Sequence, residues 1–395
     1  MNVLIVLGKF PSLTENFIYN QVISLLENNH KVYILSVYGR SNVPVSELIS
    51  ENNLKDLVIY QQKSASKFTN YRTFLKWVFK VEKFPIFLLN PFKYYNQEVL
   101  LLENEIDIIH CHFGDVAVNF IEKYLSKDHF KKAKKLITFH GYDINKKDEI
   151  DLNRKRYQSL NKYINCLTSN TPYLESVIHQ TLPESKLPVH ILPVGISEPF
   201  LNKFYKPDEK DESSIVFVGR LIELKGVKLL PLIAEELHKR AVPFKMHVVG
   251  DGPLLPYLKE QVQLLNLQDK LIVHGAKVQE DVFEILNKAA VFLLPGIKDD
   301  QGNVETQGLV LQEAQFFDLP VVISDAGGMK YGILENKSGF IVQESDIDGF
   351  VEKLILLLND KDLRMKMGSK GREFVNENYT SQPIYEKLIK IYNSI

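Results

Sequence analysis

Short runs of Val, Ile and Leu alternate along the whole chain with stretches whose apolar residues return at helical spacing. Short continuous apolar runs suit strands buried on both faces, and the periodic segments between them suit crossover helices. The alternation therefore predicts parallel sheets with helices on both sides, an α/β class. In the first half strands are expected at 3–7, 31–36, 106–110 and 135–139. In the second half they are expected at 215–218, 245–249, 271–274, 291–294 and 321–324. Ser12 and Glu15 have capping-box spacing ahead of NFIYNQVISLL, which predicts a helix directly after the first strand. Asn170 or Thr171 followed by Pro172 marks another helix start.

The polar stretch EPFLNKFYKPDEKDESS, 198–214, separates the two series of strands. At 395 residues the chain exceeds what one hydrophobic core usually organises. The expected organisation is a first domain over 1–200, a second over 201–380 and a C-terminal helix over 381–395 that packs back on the first. Both domains read as doubly wound, Rossmann-like units, which place ligands at the carboxyl ends of their strands. Two such domains facing each other build one site in the crevice between them.

Composition narrows the class. With 45% hydrophobic and 25% charged residues the chain is an ordinary globular protein, which argues against disordered, fibrous and integral-membrane classes. A net charge of −1 supplies no overall field to gather nucleic acid, and no nucleic-acid partner is expected. Cys111 and Cys166 stand far apart and support neither a disulfide framework nor a cysteine zinc site, so a reducing cytoplasm fits. MNVLIVLGKFPS reads as a first buried strand, too short and too weakly flanked for a signal peptide. No apolar run approaches the ~20 residues of a membrane-spanning helix. One local patch stands out: 63–95 carries seven basic residues against the single acid Glu82, interleaved with aromatic residues. Two readings fit it, an interfacial helix resting on anionic lipid headgroups and a core helix with a solvated basic face.

Candidate chemistry is densest in the second half. VFVGRLIELKGV sets Gly219, Arg220 and Lys225 just beyond a buried strand. The glycine lets the backbone turn, while a guanidinium and an ammonium can balance a diphosphate. VETQGLVLQEAQFFDLPVV carries Glu305 and Glu313 eight residues apart, with Gly308 opening a helix. Carboxylates accept from sugar hydroxyls in charge-assisted bonds, and the backbone amides of Gly308, Leu309 and Val310 face an anion at the helix start. VVISDAGGMKYG adds Gly327 and Gly328, in a loop expected to lie across the same crevice. In the first half, His140 ends a strand at FHGYD, where Gly141 permits close backbone approach, and His110 and His112 share a strand face. Glu15 has two readings, capping partner of Ser12 and acceptor contact.

These elements in this order, VGR…KG, EX7E and then GG after PVV, resemble the GT4 family of retaining glycosyltransferases, and MHVVGDGP, LIVHGA and LLNDKDLRMKMGSKGREFV are similar to it too. FPSLTENFI, IIHCHFGDVAV and ITFHGYDI resemble the branch that builds colanic acid, capsule and other exopolysaccharides. The resemblance implies a GT-B fold, a UDP- or GDP-linked sugar donor and a glycan acceptor, lipid-linked in that branch, at the inner face of the cell membrane. It implies that Arg220 and Lys225 hold the donor diphosphate, Glu305 the transferred sugar and Glu313 the ribose hydroxyls, with His140 facing the donor sugar. One departure bears on donor preference: Lys330 and Tyr331 stand where the family commonly has proline and glutamate.

No metal or resident cofactor is expected. The one Asp-x-Asp, Asp346 with Asp348, falls at a helix start and reads as capping. Two rivals remain at this level, a GT-B-like nucleotide-sugar epimerase or hydrolase and a non-catalytic sugar-nucleotide-binding protein. A dinucleotide oxidoreductase fits less well, since VVGDGPLL lacks the third glycine of that fingerprint.

Overall fold

The computed structural model describes residues 1–12, 15–43, 47–61, 98–207 and 210–395. The basic aromatic segment 63–95 and its expected membrane contact lie outside the described residues.

The first lobe is built on β1 (Asn2–Leu7), β2 (Lys31–Ser36), β3 (Val58–Tyr60), β4 (Ile108–His112), β5 (Lys134–Phe139), β6 (Cys166–Ser169) and β7 (Val189–Ile191). They form one parallel sheet in the order β3-β2-β1-β4-β5-β6-β7. Val3 to Leu7 of β1 are wholly buried, as the continuous apolar run requires of a central strand. β4 begins two residues later than the sequence pattern suggests. Asp107 is spent outside the ladder, accepting the Asn2 amide at 2.8 Å, while the polar His110 and His112 stay inside it. Helix α1 (Asn16–Glu27) covers the sheet, α2 (Gly114–Lys123) follows β4, and α3 (Pro172–Thr181) follows β6. At α3 the hydroxyl of Thr171 accepts the amide of Leu174, with Pro172 opening the helix.

The capping box does not form. α1 starts at Asn16, so Ser12 lies too far ahead to cap it, and Glu15 itself occupies the cap position without a side-chain cap bond. The Ser12 amide instead donates to the Tyr19 hydroxyl at 2.7 Å, and the Ser12 side chain hydrogen-bonds the Glu15 carboxylate.

The second lobe holds β8 (Ser214–Val218), β9 (Lys245–Val249), β10 (Leu271–Gly275), β11 (Val291–Leu294), β12 (Val321–Ser324) and β13 (Gly339–Val342) in the parallel order β10-β9-β8-β11-β12-β13. Helix α4 (Leu309–Phe316) lies between β11 and β12. After β13 come α5 (Ile347–Asn359), α6 (Lys361–Asn378) and α7 (Ser381–Ser394). Asp346 caps α5 through the Gly349 amide at 2.9 Å, and Asp348 pairs with Arg240, which accounts for both carboxylates of the Asp-x-Asp. No described helix is long and apolar enough to cross a membrane.

Each lobe has its own core. Leu192 belongs to the first and Ile196 to the second, so the chain changes lobe at 193–195. The polar stretch that follows lies on the second lobe, because Phe200, Leu201, Phe204 and Tyr205 within it pack into that core. α7 brings the chain back. Its Leu388, Ile391 and Tyr392 are buried in the first core, and burying such side chains contributes about 1.5–3 kcal/mol each. In each sheet the strand order reverses once, between β1 and β4 in the first and between β8 and β11 in the second. Those reversals are where an open parallel sheet leaves a crevice for ligands.

Candidate active site

In the second lobe, β8 delivers Gly219 and Arg220 directly to the reversal point. Lys225 ends a short 3-10 turn that closes on Gly226, whose φ of 70° brings it against β11's exit; a Cβ there would lie 1.7 Å from the Pro295 carbonyl. The Lys225 ammonium forms an ion pair with Glu305, and with side chains 12% and 18% exposed the two are largely withdrawn from water. Glu305 lies in the loop before α4. Gly308 caps that helix with φ 77°, and its N–H also donates to the Glu305 carboxylate. Burial pulls the Glu305 carboxyl upward. Lys225, the Gly308 N–H and the Arg220 charge outweigh it and hold the group below the ordinary glutamate value.

Arg220 is exposed, and its charge acts on the Glu305 carboxyl. Leu309 and Val310 form the first turn of α4, where amides have no acceptor within the helix. Glu313 lies one turn further, about 6 Å along the axis. Burial raises its carboxyl to about 7, and no ion pair offsets that burial among the described residues. Gly219, Arg220, Lys225, Glu305 and the start of α4 thus converge on one reversal point, with Glu313 following them along the helix.

Gly327 and Gly328 bring the loop after β12 directly onto the backbone that carries Glu305. The Gly328 amide donates to the Glu305 carbonyl at 2.8 Å. A Cβ on Gly328 would lie 1.8 Å from the Thr306 carbonyl, and one on Gly327 2.3 Å from the Glu305 carbonyl. The pair lets backbone meet backbone and so fixes the loop that carries Glu305.

That loop also joins the lobes. Thr306 Oγ1 accepts from Asn170 Nδ2 at 3.1 Å and donates to the His140 carbonyl at 3.2 Å, while the Thr171 hydroxyl donates to the Thr306 carbonyl at 2.9 Å. Gln307 makes a reciprocal pair with the Val194 amide and carbonyl, both at 2.8 Å. The carboxyl edges of the two sheets therefore meet at His140.

His140 is held by Asp143, three residues on. The Asp143 carboxylate, 1% exposed, accepts the amides of His140 at 3.1 Å, Gly141 at 3.0 Å and Gly114 at 2.9 Å. One side chain thereby ties the loop after β5 to the loop after β4. Burial raises its carboxyl to about 6 in spite of those three bonds. The His140 ring packs between Phe17 and Phe113, with centroids 4.8 and 4.6 Å away. Its Nε2 meets His112 Nδ1 at 3.1 Å, and the His112 ring stacks on His110 at 4.4 Å. His110 Nδ1 lies 2.9 Å from the Tyr392 hydroxyl of α7, and its Nε2 lies 2.6 Å from Thr138 Oγ1. Burial pushes all three imidazoles well below the ordinary histidine value, so the file is neutral at pH 7. His140 Nδ1 is buried with no hydrogen-bond partner among the described residues.

Asp143, Thr306 and Tyr392 escape the sequence reading. Asp143 alone had a local signal, standing in FHGYD next to the histidine and glycine already singled out.

The family model for glycosyl transferases group 1 matches residues 201–374. AmsK of Erwinia amylovora, an amylovoran biosynthesis glycosyltransferase, is 24% identical over 97% of both chains. WcaL of Escherichia coli, a glycosyltransferase ascribed to colanic acid biosynthesis, is 22% identical over 98% of both chains. Among solved structures, Anabaena HepE in complex with UDP superposes with a TM-score of 0.72 over 100% of both chains at 12% identity, which places the two lobes in the GT-B fold. The second lobe's reversal point thus lies within the matched region, and the full-length relatives extend the likeness through the first lobe. Residues 201–374 thus match the group 1 glycosyl transferases, similar to the GT4-type enzymes that the motifs resemble, and the chain is a glycosyltransferase.

Proposed function

We propose that this enzyme moves a sugar from a UDP- or GDP-linked donor to a glycan acceptor, lipid-linked, in the assembly of an exopolysaccharide, with retention of anomeric configuration. The observation that carries the reading is the Lys225–Glu305 pair at the reversal point of the second sheet, within the region that matches the family. Support for the pathway comes from AmsK and WcaL, relatives over nearly the whole length. A cytoplasmic place, at the inner face of the membrane, belongs to the same proposal.

In this reading Arg220 and Lys225 balance the donor diphosphate, helped by the amides at Leu309 and Val310, while the Gly308 N–H, expected to face the same anion, is spent on the Glu305 carboxylate. Glu305 holds the transferred sugar, Glu313 accepts from the ribose hydroxyls, and His140 meets the sugar from the first lobe. The bond from the anomeric carbon to the diphosphate breaks while the acceptor oxygen closes on the same face. The acceptor proton passes to the leaving diphosphate. Charge grows on that diphosphate as the bond opens, and the two cations stabilise it more in the transition state than before. Glu305 already holds Lys225 in place, so the ammonium needs little reorientation when the donor enters.

The test is product analysis. Incubation with UDP- and GDP-sugars and oligosaccharide acceptors, followed by proton NMR of the new linkage, is expected to give the donor's own anomeric configuration. An inverted linkage, or nucleotide released equally fast with and without acceptor, contradicts the proposal; the second result fits the hydrolase or epimerase rival.

A further inference from the structure

A second pocket opens beside the His140 loop, at the reversal point of the first sheet, where the ends of β1, β2 and β4 part. Glu15 and Asp115 line it, and each has one carboxylate oxygen buried with no hydrogen-bond partner among the described residues. Such oxygens are expensive to leave unmatched, and a ligand's hydroxyls would satisfy them. The second oxygen of Asp115 is already taken, accepting the Tyr38 hydroxyl at 2.8 Å, which fixes the group in place.

The wall is aromatic. Tyr142, 52% exposed, lies with its ring 5.4 Å from that of Phe113, presenting an apolar face against which the C–H face of a sugar ring can lie. Phe113 itself has φ 73°, unusual for a bulky residue and a form of strain that gathers at ligand sites.

Lys9 and Arg40 also line this pocket, and both are exposed. Neither pairs with Glu15 or Asp115, although all four line the same space, and neither has an ion-pair partner among the described residues. The carboxylates are sunk and the cations stand toward water. A neutral sugar would match the carboxylates and leave both cations unanswered; a sugar carrying a negative charge matches all four.

We propose that this pocket seats the acceptor as an acidic sugar, its hydroxyls on Glu15 and Asp115, its ring against Tyr142 and its anionic group between Lys9 and Arg40. The inference rests on the glycosyltransferase reading above. The anion is either a carboxylate on the ring or a phosphate that links the sugar to its carrier, since both offer the same charged oxygens.

Binding can be measured apart from turnover. With the donor site saturated by UDP or GDP, whichever binds, the affinities of methyl glucuronoside, methyl glucoside, glucose 1-phosphate and glucose are compared by ligand-observed NMR. At least one acidic sugar is expected to bind tenfold or more tightly than its neutral counterpart. Preference within the glucuronoside pair assigns the anion to a ring carboxylate, and preference within the phosphate pair assigns it to a linking phosphate. In Arg40→Ala and Lys9→Ala that preference shrinks to threefold or less, while Arg40→Lys retains most of it. Circular dichroism and thermal unfolding measured beside it report that the variants are folded. Equal binding of acidic and neutral sugars by the unaltered enzyme overturns the proposal, as does a preference that survives both alanine variants. Failure of the glycosyltransferase reading is a separate result, seen as no transfer from any nucleotide sugar.

Discussion

Thr306 donates its hydroxyl hydrogen to the carbonyl of His140 at 3.2 Å, joining the loop that carries Glu305 to the loop that ends β5. The bond crosses from one lobe to the other. It couples the position of the Glu305 carboxylate in the second lobe to that of the His140 imidazole in the first.

Glu305→Ala removes the only partner Lys225 has in an ion pair among the described residues. Transfer is expected to fall by at least 10²-fold, in line with the loss of one preorganised charged group, while circular dichroism stays that of a folded protein. An alanine variant with full turnover would remove Glu305 from the site.

Gly328→Ala places a methyl group 1.8 Å from the Thr306 carbonyl and 2.8 Å from the Thr171 hydroxyl. The backbone around Glu305 must shift. Turnover is expected to drop more than tenfold, with a smaller effect on nucleotide affinity, because Arg220 is held by a different loop. Steady-state kinetics beside nucleotide titration separate the two effects.

Asp143→Ala leaves the amides of Gly114, His140 and Gly141 without their acceptor. Each buried unsatisfied donor costs about 1–3 kcal/mol, so a loss of stability of roughly 3 kcal/mol or more is expected, read from the shift in urea midpoint. Asp143→Asn keeps one oxygen for two of the amides and is expected to lose less.

Glu313 is expected to make nucleotide binding depend on pH. Its carboxyl is raised from 4.5 to about 7 by burial, so it gains its charge only as the pH passes through neutrality. If that charge accepts from ribose hydroxyls, nucleotide affinity rises between pH 6 and 8, on the order of the one-unit windows either side of 7. For stability the sign is opposite. A raised folded value means the contribution is full below about 4.5 and is lost as the pH climbs through about 7. Comparing nucleotide titrations of the unaltered enzyme and Glu313→Gln across this range isolates the group, since the variant keeps the ligand's own ionisation and loses the carboxyl's.

The central strands and the second-lobe motifs were legible because their signals are local. Val3 to Leu7 is an unbroken apolar run, and Gly219 with Arg220 follows a run of the same kind. β6 and β7 escaped that reading, being short and carrying Thr168, Ser169 and His190. Ser12 and Glu15 had the right spacing for a capping box, but the helix starts later and Glu15 turns toward the first-lobe pocket. Thr306 and Tyr392 carry no local signal at all. Each matters for a partner well over a hundred residues away, His140 and His110, which only the packing of the lobes brings near. The polar stretch after 197 misplaced the passage between lobes for a related reason: its Phe200 and Leu201 have their core partners far along the chain.

The most direct test of the account is a thermal-shift titration with UDP and GDP on the unaltered enzyme and on Lys225→Ala. Binding raises the melting temperature by mass action, by about 2.7 kcal/mol of stabilisation at a hundredfold excess over Kd. A saturable rise is expected with one of the two nucleotides, greatly reduced in the variant. No rise with either nucleotide, or an equal rise in Lys225→Ala, would contradict the donor site described here.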